Sequence, residues 1–373
     1  MSEKIAAVRW SDIRSYLDIP MLVITLVLFS LGVMAIYSAS FSYTADLALS
    51  SYVVRQLIWG AISALIYVAV LKIGYKKFIK VAFYLFAITV FLLFLLLLIG
   101  KVSKGAQSWF HFGFMRFQPS ELGKVVFALV LARVATRFPP TSFRAMLPTL
   151  GVALLMTLPI LLQPDLGSSL VYLAMLFIVL IVSGAPLRFL LGIVLAGLAS
   201  LPVAWIILKP YQRMRLLIFM DPSVDPQGAG FNVIQSKIAV GSGGLLGKGF
   251  LQGTQGKLHF LPEPHTDFIF SVFSEEFGFI GSATVLILFF FLLWKILSVA
   301  LYTKDLRAKI LTTSICAWFW FQITESVAMS MGLAPITGIP LPLFSYGGSS
   351  LMAVAIGLAL VQSVVIVSKE DRF

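Results

Sequence analysis

The stretch VAFYLFAITVFLLFLLLLIG, residues 81–100, runs for twenty residues without a charged side chain. A helix of about this length rises roughly 30 Å, which matches the hydrocarbon thickness of a bilayer. The whole chain has the same character, because 59% of its 373 residues are hydrophobic and only 12% are charged. A soluble domain carries roughly 25% charged residues. With a mean hydropathy of +0.98, the composition therefore predicts a protein that crosses a membrane several times.

Ten apolar stretches of this kind occur along the sequence. They begin near Pro20, Val53, Val81, Pro119, Ala145, Ser168, Arg188, Asp267, Ile310 and Gly347. We therefore expect an all-α polytopic membrane protein with ten transmembrane helices, forming a single domain over residues 1–373. The first stretch is too long for the apolar part of a signal peptide, so we expect it to remain as a membrane anchor.

The basic residues predict how these spans are oriented. An even number of spans leaves both termini on one side, and Lys and Arg are enriched on the cytoplasmic side of a membrane. With both termini cytoplasmic, the cytoplasmic segments hold most of the 28 basic residues, including a cluster at residues 72–80. This orientation leaves one long extracytoplasmic loop, residues 209–266, between spans 7 and 8.

The long loop is itself basic. Its six basic residues face only three acidic ones, and the basic residues are Lys209, Arg213, Arg215, Lys237, Lys248 and Lys257. Long loops cross membranes largely regardless of charge, so ordinary solvated side chains would explain this excess. The alternative is a surface that holds an anion at the outer face. Within the loop, FNVIQSKIAV, residues 231–240, predicts a short amphipathic helix at the membrane surface.

HTDFIF, residues 265–270, places Asp267 where the polar loop meets the next apolar span. A carboxylate that stays ionised in a partly dry site is a competent general base. Ordinary glycoside hydrolysis needs a second carboxyl group to protonate the departing sugar oxygen. A pyrophosphate leaves as an anion instead, so one base and cationic stabilisation are sufficient. Asp267 and the basic loop therefore favour a transferase that uses a lipid-pyrophosphate sugar donor.

Two further motifs place ionisable residues at the ends of spans. An ionisable residue within a membrane is usually paired with another group or has a functional role. In QPSELGK, residues 118–124, Glu121 and Lys124 lie three positions apart and share a helix face. One interpretation is that they form a purely structural ion pair. The other is that the lysine also contacts a substrate phosphate. In QPDLGSS, residues 163–169, Asp165 caps the sixth span or belongs to the functional site.

Several classes of site are excluded or left without support. The three histidines lack zinc-binding spacing, and the chain has neither a P-loop nor a G-x-S-x-G motif. A single cysteine, Cys316, excludes an internal disulfide. Helical spacing turns Glu275 and Glu276 away from Asp267, so we expect them to serve packing or ion pairing. Glu325 lies deep in the ninth span, and the sequence cannot name its partner.

Six motifs, taken together and in order, resemble the SEDS family of shape, elongation, division and sporulation proteins. They are KGAQSWF (104–110), QPSELGK (118–124), QPDLGSS (163–169), QSKIAVGSGGLLGKG (235–249), HTDFIF (265–270) and PLPLFSYGGSS (340–350). One motif alone would be weak evidence, but six occur in family order, and the resemblance covers nearly the whole chain, from Ser38 to Ser350. The version GTQGKLHFLPEPHTDFIF resembles the rod-shape branch of the family more than the division branch.

The resemblance implies a peptidoglycan glycosyltransferase of the bacterial cytoplasmic (inner) membrane. Such an enzyme polymerises lipid II, with polyprenyl-pyrophosphate-linked glycan as its other substrate, at a site that faces the extracytoplasmic side. The expected protein partner is a class B penicillin-binding protein, which supplies the transpeptidase. Membrane lipid is the expected surrounding, and no nucleic acid is expected as a partner.

The resemblance also implies roles for individual residues. Asp267 matches the catalytic base, which would deprotonate the acceptor sugar hydroxyl. Trp109 and Lys124 match positions that the family needs for activity, and Glu121 matches the ionic partner of Lys124. Other polar residues of the motifs and the basic loop complete the expected substrate site: Gln163, Asp165, Arg213, Lys237, His265 and Ser345. A divalent cation, Mg²⁺ or Mn²⁺, could share in neutralising the pyrophosphate, but the sequence shows no ligand set.

The chain departs from the family pattern at two positions. His259 stands where many relatives have an acidic residue, which puts a second acid or a metal ligand there in doubt. Pro264 stands where rod-shape members often carry arginine. The rival function is a transporter that flips lipid II, which should place its critical groups near the bilayer midplane. Asp267, Trp109 and Lys124 are instead expected near the outer rim, which favours the enzyme.

Overall fold

A computed structural model describes residues 16–41, 51–103, 106–112, 115–226, 228–256 and 260–370 of the chain, and every statement about the fold refers to those residues. Helices dominate it. In chain order they are α1 (Ile19–Ser40), α2 (Ser51–Ile73), α3 (Tyr75–Ile99), α4 (Pro119–Arg137), α5 (Phe143–Leu162), α6 (Leu166–Val182), α7 (Leu187–Ile207), α8 (Pro210–Met220), α9 (Ala229–Ser242), α10 (Ile269–Tyr302), α11 (Leu306–Ser330) and α12 (Gly348–Glu370).

Each of the ten predicted apolar stretches lies on a helix, namely α1 to α7 and α10 to α12. Six of these helices are long and apolar enough to cross a membrane: α1, α2, α3, α5, α10 and α12. The helices α6 and α7 contain shorter apolar stretches. The described chain is therefore mostly helical, with several helices suited to span a bilayer, as the composition predicts.

Helix α4 lies at the centre of the helical bundle. It packs against α3, α5, α11 and α12, and most of its residues are buried. Central burial explains why α4 can carry charged residues that a lipid-facing helix would not tolerate. By contrast, α1, α2 and α3 expose many large apolar side chains, as expected for helices in contact with lipid.

A small antiparallel sheet between α3 and α4 is an addition to the predicted helical fold. Its strands, in the order β1-β2-β3, are β1 (Lys101–Ser103), β2 (Ala106–Phe112) and β3 (Met115–Phe117). Trp109 on β2 pairs with Lys101, and Phe110 pairs with Phe117. The aromatic residues of β2 favour extended backbone. Strands this short leave little periodic signal in a sequence dominated by long apolar runs.

The long loop contains two helices, α8 and α9. The predicted helix FNVIQSKIAV, residues 231–240, is confirmed as the central part of α9. The buried Ser236 of α9 donates a 2.6 Å hydrogen bond to the carbonyl of Ser330 and lies 2.7 Å from the hydroxyl of Ser271. These bonds fix α9 against α11 and α10, so the loop is anchored to the bundle close to the start of α10.

Helix α10 is interrupted at Gly278, whose φ of 64° is outside the helical region. Residues 243–249, which we call the glycine segment, fill the interruption. The amides of Phe279 and Ile280 donate to the carbonyls of Gly244 and Leu245, at 2.8 and 3.1 Å. In return, the amides of Lys248 and Gly249 donate to two carbonyls of the helix, each at 3.0 Å. The segment thus satisfies backbone groups that a broken helix would leave unpaired.

The side chain of Glu275 fastens the same segment. Its Oε1 accepts hydrogen bonds from Lys248 Nζ at 2.6 Å and from the amide and hydroxyl of Thr254, each at 2.9 Å. Glu276, the next residue, accepts a hydrogen bond from the hydroxyl of Ser38 on α1. The predicted ion pairing is therefore confirmed for Glu275, and the bond from Ser38 agrees with a packing role for Glu276.

Candidate active site

Residues 331–347, which we call the α11–α12 connection, organise the candidate site. They form turns and irregular backbone between α11 and α12 and include most of the PLPLFSYGGSS motif. Side chains from α4, α8 and α11, and the loop that precedes α10, converge on this connection directly or through one intermediate. It therefore relates most of the predicted site residues to one another.

Asp267 lies at the boundary that the sequence predicts. It is partly buried, whereas the next three residues, Phe268, Ile269 and Phe270, are fully buried. A Cβ atom on Gly338 would lie 3.6 Å from Asp267 Oδ2, so the backbone of the α11–α12 connection passes beside this carboxylate. Gly338 has a φ of 73°, which favours glycine at this position.

The two residues before Asp267 are tied to the α11–α12 connection. Ser345 Oγ donates a 2.7 Å hydrogen bond to the carbonyl of Thr266, and the amide of Tyr346 donates to the carbonyl of His265 at 3.0 Å. The ring of His265 also lies between aromatic neighbours, with centroid distances of 4.2 Å to Tyr52 and 5.7 Å to Tyr346. The backbone immediately before Asp267 is thus held against the α11–α12 connection.

Lys124 lies in a buried polar cluster on α4. Its Nζ atom is 2.5 Å from Glu121 Oε1 and 3.2 Å from Gln322 Oε1, and it lies 5.5 Å from the centroid of the Trp318 ring. The side chain of Lys124 has 0% of its surface exposed. The predicted ion pair is confirmed. A direct contact between Lys124 and a substrate phosphate would require this cluster to open.

Gln322 joins the Lys124 cluster to the α11–α12 connection. Its Nε2 atom donates a 2.7 Å hydrogen bond to the carbonyl of Pro340, while its Oε1 atom also accepts from Trp318 Nε1 at 2.5 Å. Both ends of this buried amide are therefore engaged, which is the usual requirement for a buried polar group.

Asp165 caps α6, as one of the two predicted roles requires. Its Oδ1 accepts from the amide of Ser168 at 3.0 Å, and its Oδ2 accepts from the Ser168 hydroxyl at 2.8 Å and from Gln118 Nε2 at 3.1 Å. Burial raises the pKa of the Asp165 carboxyl, and the charge of Glu121 also raises it. The bonds from Ser168 and the charge of Lys124 act in the opposite direction.

Two basic residues of the long loop reach the α11–α12 connection. Arg215 Nη1 donates a 3.1 Å hydrogen bond to the carbonyl of Ile336, and the aliphatic part of Lys237 lies against Gly332. Glu325, whose partner the sequence could not name, accepts a 2.9 Å hydrogen bond from the hydroxyl of Thr337. Positive and negative groups therefore flank the first half of the connection.

The described contacts of three other predicted residues lie elsewhere. Gln163 Nε2 donates to the carbonyl of Leu93 at 2.7 Å, and Arg213 donates to carbonyls at the end of α7. Trp109 lies on β2, partly buried. His259, one of the two departures from the family pattern, falls outside the described residues. The substrate-binding roles of Gln163, Arg213 and Trp109 stay predictions.

The sequence analysis missed Gln322, Gln118 and Gln56 as members of this region. Gln56 of α2 is fully buried, and its amide bonds to the backbone of Ser345 and Gly347. The available signal was an uncharged amide within or beside an apolar span, where a polar side chain needs a partner. Among the described residues, no group of three or more His, Cys, Asp or Glu side chains could hold a metal ion.

Comparisons with known proteins agree with the family that the six motifs resemble. The family model for cell cycle proteins of the FtsW, RodA and SpoVE type matches residues 19–370. The peptidoglycan glycosyltransferase MrdB of Escherichia coli K12 is 37% identical over 94% of both chains.

Two solved structures are similar over almost their whole length. A chain from a structure described as the coordination of polymerization and crosslinking by a peptidoglycan synthase complex has a TM-score of 0.81 and 34% identity, covering 96% of this chain and 99% of that one. The rod shape determining protein RodA of Thermus thermophilus has a TM-score of 0.71 and 28% identity, covering 96% and 98%. The chain therefore belongs to the FtsW, RodA and SpoVE family.

Proposed function

We propose that this chain is a peptidoglycan polymerase that serves cell elongation. It transfers the growing glycan from its lipid-pyrophosphate carrier onto lipid II at the outer face of the cytoplasmic membrane. Its assignment as a peptidoglycan glycosyltransferase is supported by its identity to MrdB over nearly the full chain. The observation that carries the reaction is the position of Asp267, a partly buried carboxylate beside the α11–α12 connection.

The reaction needs a base and a means of neutralising pyrophosphate. The carboxylate of Asp267 takes the proton from the acceptor sugar hydroxyl, whose oxygen forms the new bond to the anomeric carbon of the donor. The bond from that carbon to the pyrophosphate oxygen breaks, and its electron pair leaves on the pyrophosphate. We expect the basic residues Arg215 and Lys237 to attract this anion, and their contacts with the α11–α12 connection support that role. The proton then passes from Asp267 to water.

The arrangement in the membrane follows from the charge distribution of the sequence. The proposal includes ten spans, two cytoplasmic termini and a long loop outside, so that Asp267 faces the compartment where the cell wall is built. The ten helices on the ten predicted stretches and the basic cytoplasmic segments support this arrangement. A class B penicillin-binding protein is the proposed partner, supported by the similarity to a chain of a peptidoglycan synthase complex.

A lipid II flippase is the rival function. A transporter of this kind would use ionisable groups within its spans to bind or release its cargo. In this chain such groups are engaged in structural bonds: Glu275 with Lys248, Glu276 with Ser38 and Glu325 with Thr337. This engagement, together with the position of Asp267 before α10, favours the polymerase.

The test uses the full chain, purified with its transpeptidase partner and supplied with lipid II. We expect the Asp267→Asn variant to make no glycan chains, while its unfolding temperature and partner binding stay those of the wild type. The matched control is Asp221→Asn, which changes an exposed aspartate of the same loop and should leave activity unchanged.

Three outcomes would decide against parts of the proposal. Undiminished chains from Asp267→Asn would dismiss this residue as the base. Chains made by the partner alone would dismiss the polymerase assignment. Movement of lipid II across vesicle membranes by the wild-type chain and by Asp267→Asn alike, without any polymer, would favour the flippase.

A further inference from the structure

The segment Pro340–Ser345 of the α11–α12 connection forms a closed turn. The carbonyl of Leu341 accepts hydrogen bonds from the amides of Phe344, at 3.2 Å, and of Ser345, at 2.9 Å. The amide of Leu341 donates to Ser345 Oγ at 2.9 Å, so the serine side chain closes the turn a second time. Leu343 adopts a φ of 64°, a conformation that costs a non-glycine residue roughly 1 kcal/mol and persists only where the surroundings hold it.

The surroundings do hold this turn. Phe344 is fully buried, and its ring packs edge-on against Phe273 of α10 at a centroid distance of 5.3 Å. On the other side, a Cβ on Gly32 of α1 would lie 2.7 Å from the Cα of Phe344, so α1 approaches the turn at backbone distance. The amide of Gln56 brackets the exit, accepting from the amide of Gly347 at 3.3 Å. The turn is therefore packed between α1 and α10 and held by hydrogen bonds within itself and at its exit.

The two ends of this turn lead to the two parts of the candidate site. At its beginning, the carbonyl of Pro340 accepts Gln322 Nε2, and Gln322 Oε1 accepts the ammonium of Lys124. At its end, Ser345 Oγ donates to the carbonyl of Thr266, the residue immediately before Asp267. One short element thus connects the buried Lys124 cluster to the carboxylate across the interior of the bundle.

We propose that Gln322 and Ser345 are positioning residues that fix the Asp267 carboxylate through the turn Pro340–Ser345. The inference rests on the proposed role of Asp267 as the base. It assigns Ser345 a role other than the predicted contact with substrate. The side chain is only 6% exposed, and its hydroxyl uses its donor and an acceptor position on backbone groups.

Loss of either positioning residue should let the Asp267 carboxylate shift from the position in which it can take the proton. A displacement of about 1 Å in a catalytic group is enough to lower a rate roughly a hundredfold. We therefore expect Ser345→Ala and Gln322→Met to lower kcat by about 10- to 100-fold, with KM changed less than about threefold. Ser345→Thr retains the hydroxyl and should recover at least part of the lost kcat.

Two controls match these variants in residue type and burial. Ser350→Ala removes another buried serine hydroxyl at the start of α12, and Gln362→Met removes a buried amide of α12 that has no hydrogen-bond partner among the described residues. Both should keep the wild-type kcat. The double variant Ser345→Ala with Gln322→Met should lose less than the product of the two single losses, because both act on the same turn.

The decisive measurements are kcat and KM for glycan synthesis, with the unfolding temperature of each variant. Positioning predicts a loss of kcat that exceeds the loss in the matched control at equal unfolding temperature. If Ser345→Ala does not fold, Gln322→Met carries the same test. Wild-type kcat in folded Gln322→Met or Ser345→Ala overturns the inference, and so does a loss that merely follows the unfolding temperature.

The Asp267→Asn variant separates this inference from the proposed function. An inactive Asp267→Asn beside active positioning variants leaves the polymerase assignment standing and removes only the role of the turn. An active Asp267→Asn removes the base, and the positioning inference falls with it.

Discussion

Lys248 Nζ lies 2.6 Å from Glu275 Oε1, and this ion pair joins the glycine segment to the interrupted helix α10. The carboxylate is fully buried, whereas the lysine side chain is 31% exposed. The same carboxylate oxygen accepts the amide of Thr254, so backbone and side-chain bonds converge on a single atom. Glu275 therefore adds to the backbone bonds that hold the long loop to α10.

Replacement of Glu275 should release the loop from α10. Glu275→Gln replaces the charged acceptor with a neutral amide, whose NH₂ group is a donor and cannot accept the bonds from Lys248 and Thr254. We expect a loss of roughly 2–3 kcal/mol in local stability. Hydrogen exchange at the amides of Lys248, Gly249 and Thr254 in detergent micelles measures this opening. We expect Lys248→Met to have a smaller effect, because Thr254 still donates to the carboxylate. An equal or larger effect of Lys248→Met would contradict the central place of Glu275.

The glycines of the inserted segment should not tolerate a side chain. Gly247 has a φ of 80°, and a Cβ there would collide with the carbonyl of Glu276, so Gly247→Ala should cost at least about 1–2 kcal/mol. Gly241→Ala is the matched control, because a Cβ on this glycine of α9 would meet nothing within 4 Å. The control should be neutral or stabilising. Unfolding temperatures in detergent compare the two, and equal values would argue against the close fit of the segment.

The buried pair Glu121–Lys124 should be more sensitive to the loss of one member than to the loss of both. Glu121 Oε2 has no hydrogen-bond partner within the described part of the chain, so the carboxylate depends on Lys124. Lys124→Met should destabilise the fold by roughly 3–5 kcal/mol, and Glu121→Gln with Lys124→Met should recover most of that. Activity should stay low in the double variant, because Gln322 has lost the ammonium that orients it. A double variant as unstable as the single one would contradict this account.

Asp165 should make the stability of the protein depend on pH. Because its folded pKa is raised, the contribution of its protonated form to stability is present below the ordinary carboxyl pKa and is lost as pH rises through the folded pKa. Asp165→Asn does not titrate, so it removes this pH-dependent loss of stability, and its side-chain oxygen can still cap α6. The gain in unfolding temperature over the wild type should therefore grow as the pH rises from the ordinary carboxyl range towards neutrality. A gain that stays constant over this range would show that the carboxyl does not titrate as its burial predicts.

The helices were the most predictable part of the fold. Apolar runs such as residues 81–100 match the length needed to span a bilayer. Within the hydrocarbon every backbone group must be hydrogen-bonded inside the protein, which leaves few alternatives to a helix. The strands between α3 and α4 were not predicted, because their register depends on pairing between short segments. The interruption of α10 was also hidden, since Gly278 alone does not reveal that residues 243–249 replace its hydrogen bonds.

The candidate site was predictable at its charged residues, whereas several of its neutral amides, such as Gln322, were missed. Asp267 stands out because a carboxylate at the edge of an apolar span is costly unless it has a partner or a function. The pair Glu121–Lys124 follows from helical spacing. Gln322 is connected to Lys124 and to the turn Pro340–Ser345 only by tertiary packing. The six motifs identified the family, and the relatives confirm the assignment as a glycosyltransferase, but no motif states which oxygen accepts which proton.

The interruption of α10 at Gly278 affects how deep Asp267 lies in the membrane. The inner section of α10, from Phe279 to Tyr302, holds about 24 residues and rises roughly 36 Å, which exceeds the hydrocarbon thickness of a bilayer. The shorter section beyond the break is therefore not needed to cross the hydrocarbon. In the proposed orientation, Asp267, which precedes that section, would therefore lie among the lipid head groups, the layer in which a sugar attached to a lipid pyrophosphate is carried.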